Sequence, residues 1–184
     1  MTYNITVAGL HRDLPLCKVS DDTYIAAFVI FGDVEMTVRA AGALLERAPE
    51  FDYLLTAESK GIPLVHEMAR QSGRNDYFIA RKAPKLYMSK VYEVSVNSIT
   101  TAGTQHLYLD AADAERLRGK RVLLVDDVIS TGESLAALEK LVTEAGGIVA
   151  GRAAILAEGD ALLRKDLVYL QKLPLFNPDG SIKE

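Results

Sequence analysis

An α/β fold, with a mainly parallel sheet flanked by helices, follows from three features of the sequence. Short strand-like runs alternate with segments of helical period. One run, Val122 to Val125, is apolar without interruption, as expected of a strand covered on both faces. Glycines stand where helical stripes stop, at Gly73 and at Gly146-Gly147. The 184 residues fit one domain, 1–184, burying roughly 70% of the surface of the unfolded chain.

The elements can be justified in chain order. "FVIFGDV" precedes "DVEMTVRAAGALLERA", where Val34, Val38, Ala41, Leu44 and Leu45 predict a helical stripe. Phe31 therefore sits at a turn entering a helix, either facing a pocket or filling the core. Asp52 to Ala57 reads as a strand ending in a polar turn. Ile62, Leu64, Val65, Met68 and Ala69 then repeat at helical spacing. "NDYFIARK" is another short strand. From about Tyr87 to Thr104 the pattern is least regular, and this stretch is expected to be a flexible active-site lid, the plain alternative being a surface hairpin. "TQHLYLD" alternates as a strand, with Gln105 and Leu107 on one side and His106 and Tyr108 on the other. After the Val122 strand, Leu135, Leu138, Leu141 and Val142 form a helical stripe, and "IVAGRAAILAEG" is a further strand. Glu158 at its end reads as surface or interface.

Composition excludes several classes. No apolar run approaches the roughly 20 residues that cross a bilayer, and the start of the chain lacks the pattern of a signal peptide. Cys17 is the only cysteine, so no intrachain disulfide forms, which suits a reducing cytoplasm. The net charge of −4 lacks the basic excess of a nucleic-acid binder.

The chemistry concentrates in "RVLLVDDVISTGES", Arg121 to Ser134. Asp126 and Asp127 follow a buried strand, at the end where parallel sheets bind ligands. Neighbouring strand residues point to opposite sides, so the two acids need not repel each other in one pocket. Carboxylates there can accept hydrogen bonds from sugar hydroxyls or hold water on a magnesium ion. Ser130, Thr131, Gly132, Glu133 and Ser134 wrap into the next helix, directing backbone N–H groups and the helix dipole at one spot, a place for phosphate. Gly132 allows close backbone approach. No lysine follows it, which excludes a Walker loop. The acid pair also comes too late in the chain for a response-regulator receiver. Arg81, Lys82, Lys85 and Lys90 put four cations within ten residues, and Lys60 adds one on a separate loop. Converging on one pocket, they can stabilise negative charge on a bound anionic group. Glu58 is placed to orient Lys60 or a metal-bound water. His11, His66 and His106 share no metal-ligand spacing and read as structural.

"VLLVDDVISTGES" resembles the phosphoribosyl-pyrophosphate signature of the type I phosphoribosyltransferases. "TAESKGIP" resembles the family's pyrophosphate loop. "IARKAPKL" is similar to the Arg-Lys stretch of the adenine and xanthine enzymes, and "FVIFGDV" lies where those enzymes place part of an N-terminal hood. The resemblance implies the type I fold with a small hood at about 1–32 and a lid at 87–104. It implies a magnesium-dependent, cytoplasmic, homodimeric enzyme of purine salvage that takes phosphoribosyl pyrophosphate and a purine base, adenine first. It also implies roles. Asp126 and Asp127 are catalytic and touch the metal through water. Ser130, Thr131, Gly132, Glu133, Ser134, Glu58, Ser59, Lys60, Gly61, Arg81, Lys82 and Lys85 bind the sugar donor. Ile30 and Phe31 hold the base. Two departures stand out. Threonines in "SITTAGT" replace the lid glutamate of the adenine enzymes, and Glu133 occupies a site that is often glycine. The alternatives are a xanthine- or hypoxanthine-type enzyme and a non-catalytic regulator that senses the donor.

Overall fold

The structure, a computed structural model, describes residues 1–88, 90–98 and 103–183. Its centre is a five-stranded parallel sheet. The strands are β4 (Tyr53–Ala57), β5 (Phe78–Ala80), β8 (Arg121–Ile129), β9 (Ile148–Glu158) and β10 (Leu167–Leu173), in the order β10-β9-β8-β4-β5. This is the α/β architecture, a parallel sheet flanked by helices, that the sequence predicts.

The uninterrupted apolar run explains the layering. In β8, Val122 and Leu124 join a core with α3 (Ala111–Leu117) and α4 (Glu133–Glu144) on one face. Leu123 and Val125 join a second core with α1 (Val34–Leu45) and α2 (Ile62–Gln71) on the other. All four side chains are fully buried, so period-2 alternation feeds two cores from one strand.

A second, antiparallel sheet of four strands packs its inner residues into the α1–α2 core. It comprises β1 (Thr2–Val7), β2 (Leu10–Lys18), β3 (Tyr24–Ala26) and β11 (Leu175–Phe176). The first three lie in the segment expected as a hood, but β11 arrives from the far end of the chain. The hairpin β6 (Val91–Ser98) and β7 (Gly103–Asp110) forms a separate ribbon. The segment expected as a lid falls largely on this ribbon, and residues 89 and 99–102 of it lie outside the described residues.

Three expectations need correction. The α1 stripe is rotated: Met36, Thr37, Ala40, Ala41 and Leu44 face inward, while Val34 is 73% and Val38 38% exposed. The start of the helix sets this phase. Asp33 caps it by accepting from Met36 N, and Arg12 clamps Asp33 (2.7 Å) and Glu35 (3.0 Å). Glu158 is buried rather than at the surface, its Oε1 has no hydrogen-bond partner among the described residues, and burial raises its pKa. Finally, β8 does not stop at the acids but continues to Ile129, because β9 pairs with it that far.

Candidate active site

The sheet order creates the site. From β4 the chain crosses through α2 to β5 on one side; from β8 it crosses through α4 to β9 on the other. The two loops diverge above adjacent strands, leaving a crevice at the carboxyl edge. Pairing between β4 and β8 ends at Leu55↔Leu124, whereas β8 remains paired with β9 through Ile129. Asp126 and Asp127 occupy the stretch of β8 that has lost its β4 neighbour.

Both acids meet the loop after β4, contrary to the expectation that they face apart. Ser59 Oγ donates to Asp126 Oδ1 at 3.2 Å. Lys60 Nζ lies 2.9 Å from Asp127 Oδ2, outside hydrogen-bond angles, and donates to the Phe28 carbonyl at 2.8 Å. Burial, and then the charge of Asp127, pushes the Asp126 carboxyl up to about 7. A single loop thus reads both carboxylates. It also ties the crevice to the "FVIF" segment.

Gly61 is required by close approach. A Cβ there would lie 2.6 Å from Thr56 Oγ1 and 3.1 Å from Asp126 Oδ1. Glu58 collects the neighbouring cations: Arg81 at 3.0 Å, Lys85 at 3.6 Å, and the Lys82 backbone N–H at 3.0 Å. That N–H and the two cations hold the Glu58 carboxyl below its usual range. The side chains of Lys82 and Lys90 are exposed and do not join this cluster.

The loop Ser130–Ser134, with Asp126, Val128, Ile129 and Leu135, encloses a cavity of about 60 Å³. Gly132 caps α4 at φ +81°, a left-handed conformation that favours glycine. Its missing Cβ would point toward Arg164 (3.6 Å), so conformation, rather than ligand approach through that face, demands the glycine. The Glu133 backbone N–H lies 3.5 Å from Thr131 Oγ1.

Near the "FVIF" segment, Ile30 is buried and its carbonyl closes a turn by accepting from Asp33 N. Phe31 is 56% exposed, which overturns the alternative that it fills the core.

The site has an electrostatic signature. Four buried side-chain polar atoms among the described residues lack a hydrogen-bond partner. Thr56 Oγ1, Arg81 Nε and Asp127 Oδ2 cluster here, and Glu158 Oε1 ends the adjacent strand. Unsatisfied buried groups are costly and concentrate where a ligand completes them. Sequence reading missed Thr56 and the Phe28 carbonyl, since neither residue type announces a role. Alternation put His106 and Tyr108 on one face, but the cross-strand pairing that sets Glu93 beside them is not legible in the sequence.

Comparison with known proteins gives the family of this crevice-bearing chain. The phosphoribosyl transferase domain family matches residues 38–173, and the chain belongs to it. Adenine phosphoribosyltransferases are among its relatives. The one from Petrotoga mobilis is 27% identical, the match covering 73% of this chain and 66% of that protein, just under two thirds of its length. The one from Rhodococcus jostii is 32% identical over 69% of each chain. The crystal structure of the Thermoanaerobacter pseudethanolicus enzyme superposes with a TM-score of 0.66 at 25% identity, covering 78% of this chain and 84% of that one.

Proposed function

We propose that this chain is a purine phosphoribosyltransferase of base salvage, with adenine as the preferred base. One observation carries the reading: the acid pair, the phosphate-sized loop cavity and the cations of two loops converge on one crevice at the sheet's reversal point. The relatives' names favour adenine.

In this reading the backbone N–H groups and hydroxyls of Ser130, Thr131, Gly132, Glu133 and Ser134 hold the 5′-phosphate. Asp126 and Asp127 accept hydrogen bonds from the ribose hydroxyls. Lys60, Gly61, Arg81, Lys82 and Lys85, with Glu58 and Ser59, receive the pyrophosphate. Ile30 and Phe31 border the base. A ring nitrogen of the purine forms the bond to C1′ while the C1′–oxygen bond breaks. The electron pair leaves with pyrophosphate, which also carries away the nitrogen's proton. The chain contributes position and preorganised charge, and closure of the β6–β7 hairpin excludes water.

Magnesium fits the donor set. No cluster of three or more metal-ligating side chains occurs among the described residues, and magnesium commonly keeps its waters and uses one or two carboxylates plus substrate phosphates. Asp126 and Asp127 would hold it through water, and the ion would neutralise charge on the donor. Homodimer assembly and a cytoplasmic setting belong to the same proposal.

The test is nucleotide formation from phosphoribosyl pyrophosphate with adenine, hypoxanthine, guanine, xanthine, uracil and orotate in parallel. Adenosine monophosphate is the expected main product. Turnover of another base alone would reassign specificity, and donor binding without turnover of any base would make the protein a sensor.

A further inference from the structure

The β6–β7 hairpin carries a polar cluster for which the proposed reaction has no role. Glu93 Oε1 lies 2.6 Å from His106 Nδ1, Ser95 Oγ lies 3.0 Å from the same nitrogen, and Tyr108 OH donates to Glu93 at 3.3 Å. The His106 and Tyr108 rings stack at 6.2 Å and 15°. Cross-strand register accounts for the grouping: Glu93 pairs with Tyr108 and Ser95 with His106, so all four share one face. The opposite face, Val94, Leu107 and Leu109, is buried in the α3–α4 core.

Topology aims this cluster at the crevice. Arg81, which follows β5, pairs antiparallel with Tyr108 through two backbone hydrogen bonds of 2.8 and 2.9 Å. Directly opposed residues project to the same face, so the cluster continues the face that carries Arg81 and its ion pair with Glu58. β7 runs opposite to β5. Stepping back from Tyr108 to His106 therefore extends past the carboxyl edge of the sheet by about 7 Å, on the ligand side. At His106 only Nδ1 is engaged among the described residues, leaving Nε2 free.

We propose that His106 is a substrate-contacting residue for the pyrophosphate end of the sugar donor, with Glu93 as its positioning residue. The inference rests on the phosphoribosyl-transfer reading. Glu93 accepts from Nδ1–H and fixes the ring. The ring in its charged form offers Nε2–H to a phosphate oxygen, adding a charge-assisted hydrogen bond to those from Arg81 and Lys85. Other charged groups around it are Glu58, through Arg81, and Lys140 of α4, which reaches the Ser95 carbonyl at 3.2 Å.

Calorimetry with two probes tests this: magnesium pyrophosphate, and ribose 5-phosphate, which engages the loop Ser130–Ser134 and the acid pair but not the pyrophosphate end of the site. His106→Phe keeps a ring against Tyr108 and removes the donor, while Glu93→Gln removes the charge. We expect His106→Phe to weaken pyrophosphate about tenfold, the low end for a charge-assisted hydrogen bond, and Glu93→Gln to weaken it by less. Ribose 5-phosphate affinity should be unchanged in both, which also reports an intact fold. Wild-type pyrophosphate affinity in His106→Phe would overturn the inference while leaving the functional reading in place. If the wild-type protein binds neither probe, the functional reading itself fails, and the inference with it.

Discussion

Gly61→Ala should damage this site through a single methyl group. The backbone tolerates alanine, since Gly61 sits at φ −68°, ψ −13°. Space does not: the new Cβ would lie 2.6 Å from Thr56 Oγ1, 3.1 Å from Asp126 Oδ1 and 3.3 Å from Asp126 Cα. The first contact cannot persist, and β4 and β8, which carry the other two residues, are fixed in the sheet. The loop must therefore move, taking Ser59 away from Asp126 and Lys60 away from Asp127. Overpacking of this kind costs about 1–3 kcal/mol, and displacing a positioning loop should lower kcat/KM by roughly 10²-fold. Urea denaturation and steady-state kinetics measure the two effects. Thr56→Ala removes the closest atom, so the double variant should be more stable than the sum of the two singles by about 1 kcal/mol. Additive losses, or Gly61→Ala with wild-type stability and kinetics, would refute the steric argument.

Three further outcomes follow from the same geometry. Asp127→Asn removes the ion-pair partner of Lys60 and should lower kcat/KM by about 10²-fold, roughly 2.7 kcal/mol of transition-state stabilisation; unchanged kinetics would remove the acid from the reaction. The raised Asp126 carboxyl keeps in the folded state a proton that the unfolded chain releases near its ordinary value, so its contribution to stability falls as pH rises from about 4 to about 7. Relative to Asp126→Asn, the wild type should lose ground over that window in denaturant titrations, and parallel curves would contradict the shift. Phe31→Ala should raise KM for adenine far more than KM for the sugar donor, by about tenfold if the exposed ring stacks on the base; equal changes in both would take Phe31 out of the base site.

Strong, short-range signals made much of this legible in the sequence. The Val122–Val125 run needs two covered faces, and it has them. The Thr-Gly turn before the Leu135 stripe borders a cavity of about 60 Å³ at a helix start. What escaped depended on partners distant in sequence. α1 is rotated because Arg12, on another sheet, clamps Asp33 and Glu35. β8 outruns its apolar stretch because β9 pairs with it through Ile129. The two acids turn toward one loop because pairing with β4 stops short of them. β11 joins the antiparallel sheet from about 150 residues away and carries no local pattern that marks it. Lys82 and Lys90 share the composition of their stretch but not the geometry of Arg81 and Lys85.

The charges of the crevice argue for how the donor must arrive. Lys60, Arg81 and Lys85 are already engaged: Lys60 by Asp127, and the other two by Glu58. Against these three cations stand Asp127, Glu58 and an Asp126 whose proton is held to about neutral pH. The crevice is therefore close to electrically balanced and offers little free positive charge to a pyrophosphate carrying several negative ones. An anion that entered alone would have to displace Glu58 from its cations and would be repelled by Asp127. A donor that brings a divalent cation avoids both costs. Its charge would be lowered before entry, and Asp126 and Asp127 would hold the metal through its waters. Glu58 is only partly buried, so its release from Arg81 and Lys85 is inexpensive. On the proposed function, the carboxylates that look inhibitory toward free pyrophosphate would favour its metal complex. Pyrophosphate without magnesium should bind this crevice much more weakly than with it, and Asp126→Asn with Asp127→Asn should narrow that difference.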